Sequence, residues 1–288
     1  MDSVLVIGGA GYMGAGIVQV CAQSGYKVYL NDSNTSAVGK ALDNIERSLN
    51  KLSGKKAIDE SPSSVMSRIK TANDLSVASS VDWIIETVAE VEELKASIFS
   101  ELDSLASADT PISTNTSTIT IHQIADKTKY PGRIVGMHFF MPIQRSHIIE
   151  VVKGDNTTSE IFERACAFVE SMGKRPIRVM RDIPGFVYNR VFGAAFKQAI
   201  DLVEQGIITP EEVDFGMRDA YGWELGPFEM ADIGGIGTFA NAFRSYKLLG
   251  EDALAPTGNL LDKMIKEGRL GKRVGKGFYE YPRTNNPD

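Results

Sequence analysis

The sequence predicts an α/β fold: a Rossmann-like, doubly wound, mostly parallel sheet followed by an all-α C-terminal domain. Three observations carry that expectation. Apolar strand-like runs alternate with helical patterns through the first half, as parallel βαβ units require. A glycine-rich turn, Gly9-Ala10-Gly11-Tyr12-Met13-Gly14, joins the first strand run to the first helical run. After "RDIPGF" at 181–186 the strand signals stop and helical periodicity alone continues. The expected division is therefore 1–182 and 183–288.

Each element has its own warrant. Val4–Gly8 is a short apolar run, a helical pattern covers Met13–Ser24, and "KVYLND" gives a second strand at Lys27–Asp32. A charged helical stretch follows over 35–52, and "SGKK" with "ESPSS" marks a loop or helix break. "VDWIIET" at 81–87 is nearly all apolar, so it reads as a strand covered on both faces. A helix over 92–105 and the strands "PISTN" at 111–115 and "RIVGMHFF" at 133–140 come next. "HIIEVVKG" and "RPIRVMRD" add two later strands around a helix at Ser159–Met172. Helices over 187–204, 209–221, 237–249 and 260–267 complete the chain, with no repeat of fixed period.

Composition bounds the function classes. The 288 residues suffice for two domains with a buried core, and 43% apolar with 24% charged residues is ordinary for globular proteins. The net charge of -6 offers no footprint for nucleic acid or an anionic membrane. No apolar run approaches the roughly 20 residues of a membrane span. A strand beginning at Val4 leaves no room for a targeting peptide, so a cytoplasmic setting is expected. Cys21 and Cys166 read as buried reduced thiols. The three histidines lack the paired spacing of a zinc site, so no metal is expected.

The glycine turn gains weight from its context. A strand precedes it, a helix follows it, and Asp32 ends the next strand, 18 residues after Gly14. Gly9 permits a tight turn, Gly11 lets the backbone approach a pyrophosphate, and Gly14 lets the helix pack on the strand. The helix N-terminus offers amides and partial positive charge to the phosphates. Asp32 would accept from ribose hydroxyls and repel a 2′-phosphate, and no arginine follows it in "NDSNTS". NAD is therefore expected rather than NADP. The bland alternative is a glycine-rich turn beside a surface aspartate.

Further stretches resemble the L-3-hydroxyacyl-CoA dehydrogenase family, including its 3-hydroxybutyryl-CoA dehydrogenases. They are "IGGAGYMGAGI", "IIETVAEVEELK", "STNTSTITI", "GMHFFMP", "IIEVVKG", "DIPGFVYNRV", "LGPFEMADIGG" and "GKGFYEY", in the family's order across nearly the whole chain. The resemblance implies that His138 is the catalytic base and Glu150 its partner. It implies that Ser117 and Asn189 hold the substrate's reacting oxygen, with Ser117 also near the cofactor. Glu90 and Lys95 would lie beside the nicotinamide half, and Arg273 would reach the cofactor. Ser48 and Lys55 would contact coenzyme A. A helical C-terminal domain that mediates homodimerisation is implied as well.

The chemistry of these residues agrees. Oxidising a secondary alcohol needs an acceptor for the hydroxyl proton, and histidine titrates near neutrality. A carboxylate behind it fixes the tautomer and stabilises the imidazolium, as in serine hydrolases. His138 ends one strand and Glu150 lies in the next, so the two can meet. Ser117 follows a strand end, where doubly wound sheets line their ligand crevice. Asn189 sits on the first helix of the second domain, at the expected cleft. Bland readings stand beside each: a core histidine between apolar neighbours, an edge-strand glutamate, a serine or asparagine helix cap, and a solvated face for Ser48 and Lys55.

One departure bears on substrate. The family usually carries Asn-Pro after "HFF", and this chain has Met141-Pro142 followed by Gln144-Arg145-Ser146-His147. Arg145 would read a carboxylate or phosphate, or simply face water. The leading expectation is interconversion of an L-3-hydroxyacyl-CoA with its 3-oxoacyl-CoA. A dehydrogenase of a free 3-hydroxy acid, of the gulonate dehydrogenase type, is the enzyme alternative, with Arg145 as the clamp. A catalytically silent nucleotide-binding scaffold is the alternative from another class.

Overall fold

The computed structural model describes residues 1–248 and 250–282, so Leu249, the expected end of one helix, lies outside the described residues. The chain divides into two compact units, Met1–Pro184 and Gly185–Asp288, two residues past the expected boundary.

The first unit is built on one eight-stranded sheet. Its strands are β1 (Ser3–Ile7), β2 (Lys27–Asn31), β3 (Ile69–Ala72), β4 (Trp83–Glu86), β5 (Ile112–Thr114), β6 (Ile134–Phe139), β7 (Ile148–Val152) and β8 (Arg175–Val179). Their spatial order is β3-β2-β1-β4-β5-β6-β7-β8. Every pairing is parallel except β6 with β7. Its helices are α1 (Tyr12–Gln23), α2 (Thr35–Gly54), α3 (Pro62–Ser67), α4 (Glu92–Leu105), α5 (Ile121–Ala125) and α6 (Ser159–Ser171).

The central strands are covered on both faces, which is why their sequences do not alternate. Val4, Leu5 and Val6 of β1 and Ile84 and Ile85 of β4 are all fully buried. One face packs against α1 through Ile17, Val18 and Cys21 and against α6 through Phe162, Phe168 and Val169. The long α2 presents a narrower stripe, Ala41, Ile45 and Leu49, at helical spacing. Burying Ile45 or Leu49 contributes about 1.5–3 kcal/mol each, and Lys40, Asp43, Glu46, Arg47 and Lys51 lie exposed on the rest of the helix.

Several expected boundaries move. β1 ends at Ile7 and β2 at Asn31, so Gly8 and Asp32 both lie just beyond their strands. β3 lies where no element was expected: its four residues include two exposed ones, and pairing with β2 defines it rather than apolar content. α3 follows the side-chain cap of Ser61 with Pro62 in the first turn. α5 carries a Thr120/Gln123 capping box. Both short helices lie in stretches where no helix was expected. Cys21 and Cys166 are unbridged and buried, and burial pushes the Cys21 thiol up to about 12.

The second unit is helical: α7 (Tyr188–Glu204), α8 (Pro210–Tyr221), α9 (Pro227–Gly234), α10 (Ile236–Leu248) and α11 (Leu260–Lys266). Its core is aromatic, with Phe196, Phe228, Phe243 and Tyr246 buried together. α9 is an unexpected helix inside the glycine-rich stretch; Gly226 precedes it and Pro227 opens it. Among the described residues no helix is long and apolar enough to cross a membrane.

Candidate active site

The sheet reverses direction of winding at β1, which has β2 on one side and β4 on the other. The carboxyl ends of these strands define the crevice where open α/β sheets bind ligands. The glycine turn sits there. Gly8, not Gly9, takes the left-handed conformation, at φ +79, and a Cβ on it would meet the Thr87 carbonyl oxygen at 2.7 Å. The tight turn therefore belongs one residue earlier than the sequence motif placed it. A Cβ on Gly14 would collide with the Gly8 carbonyl oxygen, which is the close helix–strand approach expected there.

Gly11 is the N-cap of α1, with no side-chain cap and no acid in the first turn. The amides of Tyr12, Met13 and Gly14 thus have no intrahelical acceptor. Asp32 is oriented by two backbone amides: Ala10 donates to Oδ2 at 3.0 Å and Asn34 to Oδ1 at 2.9 Å. Each oxygen retains capacity to accept from a ribose hydroxyl. Donors for a pyrophosphate and an acceptor for a diol therefore stand at one switch point.

His138 and Glu150 meet because β6 and β7 run antiparallel with these two residues in register. Direct cross-strand partners project to the same face with their Cβ atoms close. The His138 Nδ1 to Glu150 Oε2 distance is 2.7 Å. His138 is 7% exposed and Glu150 is fully buried. Phe140 packs edge-on against the imidazole, with ring centroids 4.6 Å apart. This pair lies near the carboxyl end of β6, on the sheet edge that also carries the glycine turn.

Ser117 lies in the turn after β5 and is half-buried. It is not a helix cap; Thr120 caps α5 instead. Its amide donates to Glu90 Oε1 at 2.9 Å, and the Thr118 amide and Thr116 hydroxyl donate to the same oxygen at 2.8 and 2.6 Å. Burial pushes the Glu90 carboxyl up, but the Lys95 charge and these hydrogen bonds outweigh it and hold the group below the ordinary carboxylate range. Lys95 is not a surface contact. It is fully buried, with Nζ at 2.8 Å from Glu86 Oε1 and 3.5 Å from Glu90 Oε2.

The polar stretch after His138 is a surface loop fastened to α1 and to Lys174, whose Nζ donates to the Ile143 and Ser146 carbonyls. Ile143 packs against Gly16 of α1, and the Gln144 amide donates to Gln19 Oε1 at 3.0 Å. Arg145 and His147 are exposed, and the Met141–Pro142 peptide is cis. Ser48 is half-buried on α2, and Lys55 is the exposed residue that ends it. In the second unit Asn189 is the second residue of α7, half-buried and not its cap, and Arg273 is exposed in a short 3-10 turn at Lys272–Val274.

Two residues escaped the sequence reading. Glu86 is a fully buried carboxylate at the end of β4. Its signal was an acid closing an otherwise apolar buried run, where an unpaired charge is rarely tolerated. Asn115 accepts from the Phe139 amide at 2.9 Å and donates to Thr87 Oγ1 at 3.1 Å, which laces the ends of β4, β5 and β6 together. Its signal was a polar run beginning where a buried strand stops.

Comparison with known proteins identifies the family. Residues 3–183 match the NAD binding domain of 3-hydroxyacyl-CoA dehydrogenase, and residues 185–281 match its C-terminal domain. The chain belongs to the 3-hydroxyacyl-CoA dehydrogenase family. It is 36% identical to the human mitochondrial hydroxyacyl-coenzyme A dehydrogenase, covering 96% of this chain and 90% of that protein. It is 34% identical to a probable 3-hydroxybutyryl-CoA dehydrogenase of Deinococcus radiodurans, over 95% of this chain and 98% of the relative. The crystal structure of the (S)-3-hydroxybutyryl-CoA dehydrogenase of Ralstonia eutropha superposes with a TM-score of 0.91 at 31% identity, covering 98% of this chain and all (100%) of the other. NAD is the cofactor of the matched domain, and in this family member the Gly8–Gly14 turn, the first turn of α1 and Asp32 fit it.

Proposed function

We propose that this protein is an NAD-dependent oxidoreductase that interconverts L-3-hydroxyacyl-CoA and 3-oxoacyl-CoA, with His138 and Glu150 as its proton-accepting pair. The observation that supports this reading most is the 2.7 Å contact between His138 Nδ1 and Glu150 Oε2 on the sheet edge that carries the glycine turn. Nδ1 faces the carboxylate, so Nε2 is the ring atom assigned to the substrate proton. As the alcohol carbon gives up its hydride, the hydroxyl proton passes to Nε2 and the carbonyl forms. The resulting imidazolium is stabilised by Glu150, whose burial keeps water from weakening the attraction. Bound NAD supplies the hydride acceptor. Ser117 and Asn189 are assigned to the reacting oxygen, Glu90 to the nicotinamide side, and Arg273 to the cofactor.

Coenzyme A is assigned to Ser48 and Lys55. Lys55 is exposed at the end of α2, where a cation suits the helix dipole and is available to a phosphate. Lys55→Ala should raise KM for acetoacetyl-CoA and leave KM for NADH unchanged.

The deciding assay is NADH oxidation with acetoacetyl-CoA set against free 3-oxo acids. Turnover of acetoacetyl-CoA is the expected result. Turnover of free acids alone would replace the assignment with a free hydroxy-acid dehydrogenase. The exposure of Arg145 in the loop between His138 and Glu150 favours that second reading, with the guanidinium as a carboxylate clamp. NADH binding without turnover of any substrate would leave a nucleotide-binding scaffold. A homodimer and a cytoplasmic setting belong to the same proposal; sedimentation and cell fractionation test them.

A further inference from the structure

We propose that Glu86 is a positioning residue that sets the Ser117 turn through Lys95 and Glu90. The inference rests on the reading of Ser117 as a substrate contact.

Glu86 ends β4, where the run Trp83–Ile85 is buried and apolar, and the carboxylate itself is fully buried. A carboxylate in that position persists only if its charge and its lone pairs are met. They are. Oε1 accepts from the Val88 amide at 2.6 Å and from Lys95 Nζ at 2.8 Å, and Oε2 accepts from the Thr114 hydroxyl at 2.7 Å. The β4–β5 register places Glu86 beside Thr114, and the first turn of α4 returns Lys95 to the strand end. No surface is left on either side chain, so neither is available to a ligand.

What the pair reaches is Glu90. The Lys95 ammonium touches both acids, at 2.8 Å to Glu86 and at a looser 3.5 Å to Glu90 Oε2. The other oxygen of Glu90 gathers the Ser117 and Thr118 amides. Glu86 therefore anchors a cation, the cation restrains a carboxylate, and the carboxylate fixes the backbone that presents Ser117. If Glu86 is made neutral, the anion left on Lys95 among the described residues is Glu90. The ammonium should then close the longer contact and draw Glu90 away from the turn.

The test is Glu86→Gln in the full chain, read in two independent ways. Hydrogen exchange should become at least about tenfold faster at the Ser117 and Thr118 amides, with the β1 amides unchanged, because local opening is distinct from global unfolding. The kcat/KM for acetoacetyl-CoA should fall by about 10- to 100-fold, mainly in kcat, while the Kd for NADH moves less than about threefold. Glu86→Gln with Lys95→Met removes both buried charges and serves if the single variant does not fold; the same exchange signature is expected. Unchanged exchange at residues 117 and 118 in a folded variant would overturn the proposal, even with a lowered Tm. Faster exchange, in a protein whose wild type ignores acetoacetyl-CoA, would keep Glu86 in this role and sink the proposed activity instead.

Discussion

Two buried carboxylates in one unit face different partners from two in the other. In the N-terminal unit Glu86 and Glu150, both fully buried, face Lys95 and His138. In the C-terminal unit Asp214 and Asp232, each 1% exposed, are held by neutral donors. Asp214 accepts from the Phe228 and Glu229 amides, both at 2.9 Å, and from the Tyr279 hydroxyl at 2.7 Å. Asp232 accepts from the Phe278 and Tyr279 amides and the Tyr281 hydroxyl. Neutral donors satisfy lone pairs without cancelling charge, so burial still pushes the Asp214 carboxyl up. The difference separates two uses of the same group. A carboxylate against a titratable or cationic side chain can steer a proton or set another charge. A carboxylate against amides fastens backbone, here the start of α9 and the segment at 278–281.

Substitutions can break that contrast. The largest expected effect is His138→Gln, which should lower kcat by about 10³-fold or more, as removal of a general base does, while fluorescence titration shows NADH binding intact. Comparable activity in that variant would remove His138 from the mechanism. Glu150→Gln keeps the shape and loses the charge; kcat should fall by about 10²-fold, with a smaller change in Tm than in rate. The mirror experiment in the other unit is Asp214→Asn. It leaves a buried donor unmatched and should cost about 1–3 kcal/mol of stability, read by denaturant unfolding. The kinetic constants should not move, and a kinetic defect as large as that of Glu150→Gln would erase the contrast.

The smallest effect is on alkaline stability. Burial, and then the hydrogen bond to Asp214, push the Tyr279 phenol above its ordinary value of 10.0. The fold then keeps a proton that the unfolded chain releases above that pH, so stability is intact below it and declines as pH rises through it. Tyr279→Phe should flatten that decline and cost about 1 kcal/mol at neutral pH for the lost hydrogen bond. A pH-stability curve that keeps its alkaline slope would assign the effect elsewhere.

Much of the architecture was legible because it is written in local periodicity. The buried runs of β1 and β4, the stripe on α2 and the loss of strand signal after residue 186 are patterns of a few residues. The motif Gly9–Gly14 was legible for the same reason, since turn, helix start and following acid are spaced by chain geometry. The misses share a cause. β3 carries little apolar signal and exists because β2 offers it a ladder. Gly8 takes the positive φ, and Thr87, far along the chain, leaves no room for a Cβ there. The contact between Glu86 and Lys95 exists only because α4 folds one onto the other.

The chain's own order of residues determined which groups are present at the carboxyl ends of the strands: a glycine turn, Asp32, a polar run after β5, a histidine and a glutamate twelve positions apart. Tertiary structure alone decided how they meet. The antiparallel register of β6 and β7 turned that separation into a 2.7 Å contact, and the packing of α4 made Lys95 a fully buried partner of Glu86. The physical reason is range. Hydrophobic periodicity and turn chemistry act between near neighbours, whereas hydrogen bonds and charge pairs in a low-dielectric core depend on distances that only the packed chain sets.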